Sequence, residues 1–146
     1  MNKLVLKIPG ETNFLSKIRE FALSFAEKMG FDEGALGDIE MAVDEWATNI
    51  IRHSYGEDPE FPSEKRIIEV EVNKLENGIE IVFQDRGKPY NPKNTPLPDL
   101  RKHVEERKTH GLGVFAMKQF MDELDYQYVS GVGNRIVLRK FLKRNY

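Results

Sequence analysis

Glu40-Met41-Ala42-Val43-Asp44-Glu45-Trp46-Ala47-Thr48-Asn49-Ile50-Ile51-Arg52-His53-Ser54-Tyr55 is the stretch on which the fold turns. Val43, Trp46, Ala47 and Ile50 recur at three- and four-residue steps, and Ile39 and Leu36 extend the stripe backwards. Asp32 is a good N-cap ahead of it, with Glu33 in the first turn. The segment therefore reads as an amphipathic helix running to about Ser54, closed by Gly56, Asp58 and Pro59, with Trp46 in its core stripe. Glu45, Asn49 and His53 lie four residues apart on it. Each step turns a helix by about 400°, so the three drift slowly around one polar face. A carboxylate there can act as a general base, and an amide oxygen is a hard ligand suited to Mg²⁺. The solvated face of an ordinary amphipathic helix carries the same kinds of residue, so the triplet alone leaves both readings open.

Working outwards, Leu4, Leu6 and Ile8 alternate with Val5 and Lys7 until Pro9-Gly10, a short first strand. A helix follows, with Thr12 or Asn13 as its cap, Phe14, Ile18, Phe21, Ala22, Phe25 and Met29 on one side, and Gly30 as its stop. Downstream of the Glu40–Tyr55 stretch, 56–64 reads as a surface loop. Two alternating runs, 66–74 and 79–85, flank Asn77-Gly78 and predict an antiparallel hairpin. A long polar, proline-bearing connection spans 91–110, with a short helix expected over 100–106. Another helix opens at Gly111-Leu112-Gly113, with Val114, Met117, Phe120 and Met121 on its apolar side. Leu124–Val129 and Arg135–Phe141 close the chain as a hairpin around Gly131 and Gly133. Helices and strands come in blocks without βαβ alternation, which predicts an α+β fold: a two-layer sandwich, mostly antiparallel sheet covered by helices on one face.

Composition removes several classes. The 146 residues suit one domain, 1–146, with 40% apolar and 32% charged residues, a globular balance. Lys and Arg number 22 against 24 Asp and Glu, a formal charge of −2 that argues against direct nucleic-acid binding. No apolar run approaches the ~18 residues a membrane-spanning helix needs, and the first strand is too short for a signal peptide. With no cysteine there is no disulfide framework, thiolate metal site or cysteine nucleophile, which is compatible with a cytoplasmic protein. Arg135, Arg139, Lys140, Lys143 and Arg144 read as the wet side and end of the last strand. His103 and His110 lack ligand partners at zinc spacing.

Two further motifs follow the helix. Asp85-Arg86-Gly87-Lys88-Pro89 ends a strand. An Asp there can accept from an exocyclic amine such as that of adenine, and Gly87 permits close backbone approach; an ordinary turn uses the same residues. His110-Gly111-Leu112-Gly113-Val114 opens a helix, where free backbone N–H groups and the helix dipole favour an anion. It is not the P-loop GxxxxGK[ST], which is absent throughout.

In this order and spacing the three motifs resemble the Bergerat-type ATP-binding fold of histidine kinases and gyrase-like ATPases. Glu45, Asn49 and His53, with Tyr55 close behind, look like its N box; Asp85 to Pro89 like its first glycine box; Gly111-Leu112-Gly113 like its second, after a long lid. Within that superfamily the chain is most similar to the small anti-sigma-factor serine kinases, over nearly its whole length. The resemblance implies ATP and Mg²⁺ as cofactors. It makes Asn49 the Mg²⁺ ligand and Glu45 the acceptor of a serine hydroxyl proton. Asp85 would read the adenine amine with Gly87 beside the base. The lid would run from about Asn94 to His110, with Lys108 and Thr109 near the phosphates, and Gly111, Leu112 and Gly113 would cradle phosphate. His53 would contact phosphate or pack at the helix end. Two departures stand out: Thr109 and His110 precede the glycine, so Lys108 or Arg107 must reach further, and Gly133-Asn134 replaces a Gly-Thr pair, with Asn134 still able to donate at the nucleotide site.

The function implied is an ATP-dependent serine-protein kinase that sequesters a sigma factor, phosphorylates a STAS-domain anti-anti-sigma partner, and works as a homodimer paired through the first strand and helix. The alternative is a nucleotide-gated partner-binding module with little or no turnover; Glu45 favours the enzyme, because binding alone needs no carboxylate there. A histidine-kinase catalytic domain is disfavoured because no phospho-accepting histidine helix is evident.

Overall fold

The computed structural model describes residues 3–92 and 117–143. The expected lid, the short helix over 100–106, and Lys108, Thr109, Gly111, Leu112 and Gly113 lie outside the described residues.

Strand β1 (Lys3–Pro9) leads through a 3₁₀ turn, Thr12–Phe14, into α1 (Leu15–Lys28). Neither Thr12 nor Asn13 caps that helix. The N-cap position falls on Phe14 (φ −101°, ψ −1°), already near helical, and no side chain bonds back to the first turn. A cap needs an extended backbone to fold its side chain over the helix, and the continuous winding from the 3₁₀ turn removes it. Gly30 (φ +91°) ends the helix as expected. Helix α2 (Glu33–Asn49) does begin on Asp32, whose carboxylate accepts from Ala35 N at 2.8 Å.

Two hairpins complete the chain: β2 (Ile67–Leu75) with β3 (Gly78–Gln84), and β4 (Glu123–Val129) with β5 (Gly133–Phe141). All neighbours are antiparallel, in the order β1-β2-β3-β5-β4. The first turn is displaced by one residue from the expected Asn77-Gly78. Leu75 pairs with Gly78, so Glu76 and Asn77 make the turn and Gly78 starts the strand. A β-carbon on Gly78 would stand 2.3 Å from the Lys140 carbonyl oxygen, so the glycine serves the close approach of β5.

The core lies between one face of the sheet and the helices. Ile68, Val70 and Val72 from β2, Ile79, Ile81 and Phe83 from β3, and Ile136 and Leu138 from β5 meet Ile18, Ala22 and Ala26 of α1 and Ile39, Ala42, Val43, Trp46 and Ala47 of α2. Each large side chain so buried contributes roughly 1.5–3 kcal/mol. Arg139 bonds Glu80 on β3 (2.8 Å) and Glu123 and Asp125 on β4 (2.7 and 3.3 Å), an ion network with Arg139 as the expected wet side of the last strand. Arg19 ties α1 to Asp44 of α2 at 3.0 Å. No helix among the described residues is long and apolar enough to cross a membrane.

Candidate functional site

The quoted stretch does not stay α-helical to Ser54. At Asn49 the winding widens into a π-helical segment, Ile50–Tyr55, and Gly56 N bonds Ile51 O at 3.0 Å across five residues. Four-residue spacing therefore holds between Glu45 and Asn49 and fails beyond. Ser54 and Tyr55 turn inwards and are fully buried, while His53 is exposed and stacks on Tyr90, ring centroids 4.5 Å apart at 12°. The imidazole is thus the exposed member of the triplet, against a half-buried Glu45 and a buried Asn49. π-Segments of this kind recur at functional sites because they redirect side chains without ending the helix.

Glu45 stands half-buried one turn before Asn49. Asn49, at the last α-helical position, is 5% exposed, and its Nδ2 has no hydrogen-bond partner. A buried amide left partly unspent is costly, and because the unspent atom is a donor it calls for an acceptor and not for a cation. No cluster of three or more histidine, cysteine or carboxylate side chains able to hold a metal occurs among the described residues. One amide oxygen nevertheless fits Mg²⁺, which takes few protein ligands and fills its octahedron with phosphate oxygens and water.

Asp85 follows β3 and is 1% exposed. Its Oδ1 accepts from Gly87 N (2.8 Å) and Asn134 Nδ2 (2.9 Å), while Oδ2 is buried with no partner. Burial pushes its carboxyl up to about 6, against the lowering effect of Asn134, the Gly87 N–H and Ser54. A buried acceptor left over at a strand end fits the exocyclic amine of adenine.

The rest of the framework holds this loop against the end of α2. Tyr55 Oη donates to Ile67 O (2.6 Å) and accepts from Arg86 N (3.0 Å). Lys88 N donates to Ser54 O at 2.6 Å. Gly87 is needed for that approach, since its β-carbon would stand 2.3 Å from Ser54 O. Gly133 (φ +123°) likewise passes close to the backbone of Asp85, whose N–H donates to Asn134 O at 3.0 Å.

The structure thus brings Asp85, Gly87 and Asn134 together against Ser54 of the π-helical segment, with Glu45 and Asn49 on the last turns of α2 before it and His53 stacked on Tyr90 beside Asn134. Sequence reasoning missed Tyr90 and Tyr126. Tyr90 N donates to Asn134 Oδ1 (3.0 Å) and to Tyr126 Oη (3.1 Å), Tyr126 Oη also bonds Asn134 Oδ1, and both rings lie about Trp46 at 6.0 and 6.3 Å. Tyr126 had a signal in its strand parity with Leu124; Tyr90, in a loop after Pro89, had none.

This fold and site define a nucleotide-binding ATPase domain: residues 8–140 match the model of the histidine kinase-like ATPase domain, and the chain belongs to that family. Within it, the chain is 29% identical over 146 residues to the serine-protein kinases RsbW of Bacillus thuringiensis and Bacillus cereus, covering 97% of this chain and 86% of each relative. Among solved structures it resembles that of the RsbU and RsbW domains of Rv1364c from Mycobacterium tuberculosis (TM-score 0.68, 18% identity, 99% of this chain and 34% of that one). It also resembles the SiaB-SiaC complex from Pseudomonas aeruginosa (TM-score 0.63, 12% identity, 95% and 89%). The chain spans about a third of the Mycobacterium chain, and at these identities both likenesses are of fold.

Proposed function

We propose that the chain is an ATP-dependent serine-protein kinase and anti-sigma factor, which phosphorylates an anti-anti-sigma STAS partner and sequesters a sigma factor in the cytoplasm. The observation that carries this is Glu45, half-buried one helical turn before an amide with an unpartnered atom. The naming of full-length relatives as serine-protein kinases supports it.

In this reading Asp85 Oδ2 accepts from the adenine amine, and Asn49 offers its amide oxygen to magnesium. The metal, when bound, neutralises charge on the phosphates. Glu45 takes the proton from the serine hydroxyl as its oxygen bonds the γ-phosphorus and the bond from that phosphorus to the ADP oxygen breaks. Phosphoryl transfer needs positioning and charge stabilisation more than covalent chemistry, which this sparse set suits. Lys108, Thr109, Gly111, Leu112 and Gly113 serve the phosphates in the same proposal, and His53, on the rim, adds a contact there or fixes the helix end. Homodimer pairing falls on the edge strand β1, beside a groove lined by Leu4, Leu6, Phe21 and Phe25.

The test is incubation with Mg-ATP and a STAS-domain substrate, followed by phosphoamino-acid analysis. Phosphoserine on the partner supports the reading. Tight ATP binding with no modified partner would leave a nucleotide-gated binding module instead, and acid-labile phosphohistidine would mean a different kinase class.

A further inference from the structure

Asn134 occupies a position at which direct contact with nucleotide was expected, yet its side chain is committed within the protein. It is 1% exposed. Nδ2 donates to Asp85 Oδ1 at 2.9 Å and to Lys88 O at 2.7 Å, with Ser54 Oγ further away at 3.4 Å. An amide nitrogen has two hydrogens, so the two short bonds use both. Oδ1 accepts from Tyr90 N at 3.0 Å and from Tyr126 Oη, which uses both of its lone pairs. Nothing on the amide is left for a ligand.

We propose that Asn134 is a positioning residue for base recognition: with Tyr126 holding its oxygen, it fixes the Asp85 carboxylate by Oδ1 and leaves Oδ2 as the single acceptor that selects adenine over guanine. This rests on the nucleotide-binding reading above and assigns its specificity to a relay from β4 through β5 to the end of β3. The direction of the relay follows from donor and acceptor chemistry. Because Nδ2 can only donate, it favours an ionised Asp85 and opposes a proton on Oδ1. An ionised Oδ2 accepts from the adenine amine, whereas it repels the carbonyl that guanine presents there. Tyr126 acts one step back: its hydroxyl and the Tyr90 N–H orient the amide so that its nitrogen, and not its oxygen, faces Asp85.

Among the described residues, the titratable groups facing Asp85 are Tyr55 from the π-helical segment and Tyr126 from β4. Burial foremost, and the charge of Asp85 as well, hold both phenols above their usual range, so neither titrates near neutrality. Arg86, next in the chain, is exposed. Neither phenol therefore makes the acid limb of nucleotide binding; the exposed imidazole of His53 at the rim adds its own ionisation to that limb, and Asn134 sets where the Asp85 part of it falls.

The experiment is calorimetric titration of the full chain with Mg-ADP and Mg-GDP between pH 5 and 8, for wild type, Asn134→Ala, Asn134→Asp, Tyr126→Phe and Asp85→Asn, with a thermal melt for each. Asn134→Ala should lower the ADP/GDP preference about tenfold and move the acid limb up by about one pH unit, the effect of losing one donated hydrogen bond to a buried carboxylate. Asn134→Asp should move the limb furthest, since two carboxyls at that distance share a proton. Tyr126→Phe should shift both readouts the same way by a smaller factor. A folded Asn134→Ala with unmoved preference and unmoved limb overturns the proposal. If neither Asn134 variant folds, Tyr126→Phe decides, and unchanged readouts there overturn it. Asp85→Asn separates the two levels. If it leaves the preference intact, the base is read elsewhere and the underlying site reading fails. If it abolishes the preference while the Asn134 and Tyr126 variants keep it, only the relay fails.

Discussion

Gly87 lies so close to Ser54 that a β-carbon on it would stand 2.3 Å from the Ser54 carbonyl oxygen. The loop after β3 is thereby locked to the π-helical segment that follows α2, and Lys88 N closes the contact by donating to the same oxygen. Gly87→Ala must push the two segments apart. Overpacking of this kind costs about 1–3 kcal/mol, more where backbone has to move. A lower urea midpoint at unchanged slope, together with weakened ADP binding, is the expected outcome; wild-type stability would show that the contact yields freely.

Tyr55 supplies the second lock, donating to Ile67 O and accepting from Arg86 N. Tyr55→Phe keeps the buried ring and leaves two backbone groups unpaired. A loss of about 1–3 kcal/mol in denaturant unfolding is expected, the penalty of an unmade buried hydrogen bond. A change within error would mean that water reaches both groups.

Glu45→Gln removes the proposed base and keeps the shape. Phosphoserine formation should fall about 10²–10⁴-fold, the usual worth of general-base catalysis, while Mg-ADP affinity stays within a factor of two or so. Retained transfer would take the proton-accepting role away from Glu45.

Asn49→Ala should abolish the magnesium-dependent part of nucleotide affinity. The measurement is ADP titration with magnesium and with EDTA. The gap between the two should close by about tenfold or more, the scale of losing one hard ligand. An unchanged gap would place the metal elsewhere.

Asp85 links stability and binding to pH with opposite signs. Its folded carboxyl lies at about 6, above the ordinary 3.8. Between those values the native chain keeps a proton that the unfolded chain has released, so stability falls as pH rises from about 4 to 6 and levels off above. The full effect is roughly 3 kcal/mol. Nucleotide binding moves the other way, because the adenine amine needs an ionised acceptor: ADP affinity should drop about tenfold from pH 7 to pH 5. Urea unfolding and calorimetry across that range check both signs, and Asp85→Asn should flatten both slopes.

The fold was legible where periodicity and turn chemistry agreed. Ile39, Val43, Trp46, Ala47 and Ile50 mark one face of α2, Asp32 caps it, and alternation in β2 and β3 marks the sheet. Local signals failed where tertiary contact decided the backbone. Gly78 looked like a turn residue and is instead a strand residue facing Lys140 O. The Thr12 and Asn13 side chains were capable caps, but the 3₁₀ turn left no extended residue to use them.

At the candidate site, the expected one-turn separation of Glu45 and Asn49 is present because the helix between them is regular. The helix was expected to run on to Ser54, and no residue type announces the π-helical segment that replaces its end, with Ser54 and Tyr55 buried and His53 exposed. Asn134 was expected to donate at a nucleotide site. Its commitment to Asp85, Lys88, Tyr90 and Tyr126 depends on strand register and a loop crossing, which one chain's residue order does not reveal.

The most direct measurement is a calorimetric titration of the wild-type chain at pH 7.5 with Mg-ADP and, in parallel, Mg-GDP. One site per chain, with ADP bound at least tenfold more tightly than GDP, is the expected result. No heat with either nucleotide, or equal affinity for both, would contradict the assignment of Asp85 and Asn49 to a purine-nucleotide site.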